Sequence, residues 1–247
     1  MLKKAQFRFY EELNDFLPQD KRKKDFIYEF KGNPSIKDTI EALNIPHVEV
    51  DLILINNNSV DFSYHLQDGD MVSVYPVFES VDIKNVTRLR DKPLRKTKFI
   101  LDVNLGKLTR YLRMFGFDSF YSNKFIDVSI IDLARKEKRI ILTKDIGLLK
   151  NSEVTHGYWV RSQDPRRQIK EVISRFNLET DIKPFSRCIS CNGVIKQIKR
   201  EYIIDQIPLM TCKYFNEFYQ CTGCEKVFWQ GSHYKRMKDF LSKILDN

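Results

Sequence analysis

Two Cys-x-x-Cys pairs, Cys188-Ile-Ser-Cys191 and Cys221-Thr-Gly-Cys224, constrain this chain more tightly than any other feature of its 247 residues. A two-residue gap lets a tight turn present two thiolates to one tetrahedral ion, and two such turns complete a four-sulfur shell. The 29 residues between the pairs contain the β-prone stretches VIKQI and FNEFYQ, and Gly193 and Gly223 follow or lie within the turns. A zinc ribbon with a C-terminal helix is therefore expected over residues 185–247. It should hold one structural Zn2+, because four thiolates leave no open position for water. All five cysteines lie from Cys188 onward, unlike a disulfide framework spread through a small secreted fold. Cys212 has no CxxC partner and reads as a small core residue.

Lysine and arginine outnumber aspartate and glutamate by 42 to 33, a formal charge of +9 spread along the chain. A polyanionic partner is one reading of that excess and simple solubility is the other. The N-terminal MLKKAQFRFYEELNDFL is charged throughout, and no later stretch reaches about 18 apolar residues, so neither a secretion signal nor a membrane span is expected. The expected location is cytoplasmic.

Residues 5–10 (AQFRFY) alternate as a strand, and 26–30 (FIYEF) can pair with them across a Lys-rich turn. Ile36, Ile40 and Leu43 then recur at helical spacing behind a Ser35 N-cap, with Asp38 at the capping-box position. Strands at 50–55 and 70–77, divided by Asn-rich and Asp68-Gly69 turn signals, complete the order ββαββ of an α+β β-grasp domain. Ser35–Leu43, Asp68-Gly69-Asp70 and Val74-Tyr75-Pro76 resemble the ubiquitin-like domains related to small sulfur carriers. Those carriers act through a free C-terminal Gly-Gly, whereas this chain runs from Pro76 into FESVDIKNVTRLRDKPLRK. Residues 1–79 are therefore expected to bind or regulate, with a protein partner held noncovalently, and the basic stretch 80–97 to serve as a linker.

Next, KFILDV reads as a buried strand with Asp102 near its C-terminal end, before a helix starting around Asn104 or Leu105. In that helix Leu105, Leu108, Leu112 and Phe115 make one apolar stripe flanked by Lys107, Arg110 and Arg113, and Gly116 ends it. A strand at Ser119–Ser122 leads to Asp127, at the start of a helix whose Ile130, Leu133 and Ala134 face inward. Asp127 is either a functional acid or an N-cap. The strand from Arg139 to Lys144 runs into Asp145, which repeats the placement of Asp102. Strand–helix alternation favours a parallel sheet with right-handed crossovers, whose carboxyl ends share one rim. Three carboxylates on such a rim repel one another unless a hard cation, Mg2+ or Mn2+, neutralises them, and that chemistry suits phosphodiester hydrolysis.

LDVNLGKLTRYLRMFGFDS, DVSIIDLARKEKRIILTKDIGLL and the later CxxC pairs together resemble the RNase domain first described at the C-terminus of mut-seven-type exonucleases, a branch of the PIN-like nucleases. The resemblance covers roughly residues 97–235, includes Gly231-Ser232-His233, and extends to the preceding β-grasp module. It implies an α/β PIN-like domain at 98–184 and metal-dependent cleavage of RNA. The implied Mg2+ or Mn2+ ligands are Asp102 and Asp145, with Asp127 as third acid and Asp132 and Asp164 as weaker alternatives. Lys107, Arg110, Arg113 and Lys144 are candidate RNA contacts. The family commonly has Arg where Lys144 stands, so the bidentate grip on phosphate is lost there while the charge is kept. His233 reads as an RNA contact, a cap or a plain surface residue, not a zinc ligand. The competing reading is a non-catalytic RNA-binding adaptor whose ubiquitin-like domain docks a partner.

Overall fold

The structure, a computed structural model, describes residues 1–76, 89 and 97–245. The expected linker therefore lies outside the described residues, apart from Leu89 and Thr97. The N-terminal segment runs β1 (Lys3–Phe9), β2 (Phe26–Phe30), α1 (Ile36–Ala42), β3 (Val50–Ile55), β4 (Asn58–Val60) and β5 (Met71–Pro76). The central segment continues with β6 (Lys98–Leu101), α2 (Gly106–Met114), β7 (Asp118–Phe120), α3 (Asp127–Glu137), β8 (Ile140–Thr143), α4 (Ile146–Leu149) and β9 (Gly157–Trp159). After α5 (Pro165–Arg175) come β10 (Ile195–Ile198), α6 (Leu209–Tyr214), β11 (Phe218–Cys221), β12 (Val227–Phe228) and α7 (Ser232–Leu245). Two compact units result, residues 1–96 with 126–159 and residues 97–125 with 160–247.

In the first unit the alternation of β1 buries Ala5, Phe7 and Phe9. Its sheet has the order β2-β1-β5-β3-β4, with β1 and β5 parallel and the other neighbours antiparallel. Ser35 Oγ accepts the Asp38 N–H at 3.0 Å, satisfying an open donor at the start of α1. The helix then buries Ile36 and Ile40 completely, in one core with Phe7, Ile53 and Val74. Each such side chain removed from water contributes about 1.5–3 kcal/mol, so the core carries the β-grasp fold. One element departs from expectation. The Asn-rich turn is the tip of a hairpin, in which Asn56 (φ 50°) and Asn57 (φ 67°) take the left-handed conformation a two-residue connection needs, and β4 follows.

The remainder of this unit is α/β. Ile130, Ile131 and Ala134 form the buried face of α3, and Lys138, left-handed at φ 53°, ends the helix. All four residues of β8 are buried, and β9 pairs with it in parallel, Thr143 opposite Trp159. The turn before β3 packs directly on this pair. Glu49, fully buried, accepts the Trp159 backbone N–H through Oε1 at 2.7 Å, and His47 Nε2 lies 2.9 Å from the Val154 carbonyl. Lys150 Nζ donates to Asn44 Oδ1, and the Phe16 ring rests 4.9 Å from that of Trp159. The side of β9 away from β8 is thus met by the ubiquitin-like fold.

The second unit pairs β6 with β7 in parallel and packs α2 against α5. The stripe Leu105, Leu108, Leu112 and Phe115 is buried as the spacing predicts. Gly116 (φ +98°) closes α2 where an added Cβ would stand 2.1 Å from the Lys183 carbonyl oxygen, so no other residue fits. The ribbon follows as an antiparallel sheet β10-β11-β12, with Ile203, Ile207, Cys212 and Phe218 as its small core. Cys212 is thus a packed core thiol. No helix of the described residues is long and apolar enough to cross a membrane.

Replacing Glu49 by Leu strands the Trp159 N–H without its acceptor in a buried setting. We expect a loss of about 2 kcal/mol in denaturant unfolding of the first unit. An unchanged midpoint would show that this bond carries no weight.

Candidate functional site

The ribbon brings its four predicted ligands together. The sulfurs of Cys188, Cys191, Cys221 and Cys224 all lie within 4.8 Å of one another, with Cys188–Cys224 at 3.7 Å and Cys191–Cys221 at 3.3 Å. A tetrahedral shell with Zn–S of about 2.3 Å sets its sulfurs about 3.8 Å apart, so the cluster has the dimensions of one zinc ion. Backbone donors point at the sulfurs, Gly193 N–H toward Cys191 at 3.4 Å and Gly223 N–H toward Cys221 at 3.3 Å. A Cβ at Gly193 would stand 2.6 Å from the Cys221 sulfur, which explains the glycine after the first pair. Burial and the neighbouring thiols push Cys191 up to about 12. Burial also acts to raise Cys221, but the N–H groups of Cys224 and Gly223 and the adjoining thiols outweigh it and hold Cys221 at about 7. Thiols this crowded cannot all ionise unless a cation sits among them.

The first knuckle is fastened to the central domain by four side chains, Arg113, Asn192, Arg187 and Asp118. Arg113, only 5% exposed, donates from Nη1 to the carbonyls of Ile189 (3.1 Å) and Ser190 (2.9 Å) and from Nε to that of Ser119 (2.9 Å). Desolvation by burial lowers its pKa, an effect partly opposed by Cys191 and Cys188. Asn192 accepts the Ser119 N–H through Oδ1 and donates from Nδ2 to Asp118 Oδ1, while Arg187 ion-pairs with Asp118 Oδ2 at 3.2 Å. Expected as an RNA contact, Arg113 thus has its guanidinium engaged on backbone carbonyls. Asn192, Arg187 and Asp118 escaped the sequence reading. The one cue was Asn192-Gly193, a turn-forming dipeptide placed directly after Cys191.

The acids occupy helix and strand ends, each in its own manner. Asp102 follows β6, is 8% exposed, and begins the short turn Val103–Leu105 without a side-chain capping bond. Asp145, exposed after β8, caps α4, with Oδ1 accepting the Gly147 N–H at 2.7 Å. Its own N–H donates to Thr143 Oγ1. Asp127 is the first residue of α3 and exposed. Ile126 takes the N-cap place, so the capping role considered for Asp127 is not the one it has. Asp164 caps α5 by accepting the N–H groups of Arg166 and Arg167, with Pro165 at the first helical position, and Asp132 is an exposed residue within α3. Lys107 and Arg110 are exposed on α2. Lys144 is half-buried, and its carbonyl accepts from Trp159 Nε1. His233 is exposed in the first turn of α7.

Residues 97–241, more than half of the chain, match the Mut7-C RNAse domain. The chain belongs to that family. Residues 2–82 match the Mut7-C ubiquitin family, so the β-grasp fold and the domain order agree with the Mut7-C arrangement that the motifs imply. No curated protein and no solved structure matches the chain. For this Mut7-C member, the four-cysteine group can hold one zinc ion and the central domain is of a nuclease family.

Purified protein is expected to carry one zinc per chain by elemental analysis. Cys188→Ser/Cys221→Ser should carry none and should become protease-sensitive beyond about residue 187; a double variant that keeps its zinc would overturn the assignment. Arg113→Met should weaken zinc retention by about 10–100-fold in competition with a chromophoric chelator, because the carbonyls that orient the knuckle lose their donor.

Proposed function

We propose that this chain is a metal-dependent ribonuclease that hydrolyses RNA phosphodiester bonds. The match of residues 97–241 to an RNAse domain carries the reading. The acids are assigned as the strand-end pattern has them, Asp102 and Asp145 as ligands and Asp127 as the third carboxylate. When bound there, Mg2+ or Mn2+ would supply an activated water and polarise the scissile phosphate. The chain's own contribution is position and charge. The carboxylate of Asp102 is held at the end of β6 with little exposure, so few of its rotamers remain to be frozen on binding. Asp145 is held by its capping bond to Gly147, which fixes one carboxylate oxygen. Lys107 and Arg110, exposed three residues apart on α2, are assigned to the RNA backbone, and Lys144 to the phosphate beside Asp145. Arg113, whose guanidinium is taken up by the carbonyls of Ser119, Ile189 and Ser190, is assigned to holding the knuckle.

The ubiquitin-like domain is proposed as a noncovalent docking module, since its chain continues past Pro76 without a carrier tail.

The decisive measurement is cleavage of a mixed, end-labelled RNA pool by metal-stripped protein with Mg2+ or Mn2+ restored. Asp102→Asn/Asp145→Asn should lose cleavage by at least about a thousandfold while melting near the parent temperature, because Asn caps a helix about as well as Asp. Cleavage retained by that protein refutes the acidic site. RNA bound but left intact by the parent chain would instead favour the adaptor.

A further inference from the structure

Positive charge gathers in the second unit where α5 and α7 face each other. A cavity of about 630 Å³ opens between the first half of α5 and the face of α7 from Arg236 to Ile244, a volume in the range of ligand-binding clefts. Helical spacing builds both walls. Arg166 and Lys170 are four residues apart on α5, with Arg167 beside them, while Arg236, Phe240 and Lys243 recur on one face of α7. Five cations thus line a cleft that contains two carboxylates, Asp164 and Asp239. Asp164 is engaged as the cap of α5 and offers its oxygen to the N–H groups there.

Phe240 and Ile244 supply the apolar part of the lining. Arg166 lies over the Phe240 ring, Cζ 5.7 Å from its centroid, and Tyr111 of α2 packs against the same ring at 4.6 Å. At that cation–π distance the guanidinium keeps its planar fork of N–H donors, which can grip a phosphate with two bonds. Tyr111 also joins the cleft to α2, since Arg110 is its neighbour and Lys107 stands one turn away, both exposed. Helix α2 thus meets the cleft through Tyr111 and also carries the two exposed cations assigned above to RNA.

We infer that the α5–α7 cleft is a second binding site for the RNA backbone, which anchors the strand beyond the segment that lies on α2. The inference rests on the RNA-binding part of the proposed function and not on hydrolysis. Salt should report it directly, because each phosphate neutralised by a lysine or arginine releases counterions.

The experiment is the affinity of the full chain for a fluorescein-labelled single-stranded RNA, measured by anisotropy in a divalent-free buffer across a salt series. Zinc content and melting temperature serve as folding controls. Arg167→Ala/Lys170→Ala/Arg236→Ala should weaken binding roughly tenfold or more and lower the slope of log affinity against log salt by about 2. A second variant, Arg167→Glu/Arg236→Glu, changes only exposed side chains and should weaken binding further still. Lys21→Ala/Lys23→Ala/Lys24→Ala removes the same charge from the ubiquitin-like domain and should leave the slope close to the parent's. Unchanged binding in both cleft variants, or an equal loss in the Lys21/Lys23/Lys24 protein, overturns the site. Because hydrolysis is not read, a parent chain that binds RNA through the cleft but never cleaves would sink the nuclease reading and leave this one standing.

Discussion

Four sulfurs crowded within 4.8 Å are the constraint on which the second unit depends. Such a cluster is unstable by itself, since ionised thiols repel and buried neutral ones leave the knuckle N–H groups poorly matched. A dication resolves both problems and fixes the backbone of the two turns. What makes this more than a local matter is Arg113, which reads the first knuckle through the carbonyls of Ile189 and Ser190 and holds the Ser119 carbonyl with the same guanidinium. The position of α2 relative to β7 and the form of the knuckle are thereby coupled. A zinc ion held by four thiolates would leave net negative charge, which the buried Arg113 on the flank of the group would compensate at short range.

The same helix faces three ways. Its apolar stripe fills the core, Arg113 holds the ribbon, and Lys107 and Arg110 remain exposed. A single turn of sequence, Arg110-Tyr111-Leu112-Arg113, therefore contains a solvent-facing cation, an aromatic packed on α7, a core leucine and a buried cation. Residue type alone does not distinguish the two arginines; their partners do.

Much of this was legible from the chain. The CxxC spacing, the Ser35 cap, the stripes of α1 and α2 and the closing glycine of α2 are local signals, and local signals survive folding because the same few residues both emit and satisfy them. The role of Arg113 was not legible, because its acceptors in the knuckle are backbone carbonyls 76 and 77 residues away, and carbonyls belong to every residue. Asp127 shows another limit. An acid at a helix start resembles a cap, and a one-residue shift, with Ile126 taking the cap place, changes what it does. β4 was hidden because a two-residue asparagine hairpin needs little sequence. The contact of His47 and Glu49 with the strand pair had no cue, since both stand in a short connecting turn that reads as surface.

Glu49 gives the N-terminal domain a task unrelated to any partner. A strand whose outer N–H groups are open recruits other strands, and in a crowded cell it recruits those of its own copies. The turn before β3 supplies a carboxylate to the Trp159 N–H of β9, in the place where a neighbouring chain would supply a carbonyl. Removal of the ubiquitin-like fold would uncover that donor on β9 and with it a place where a second strand can pair.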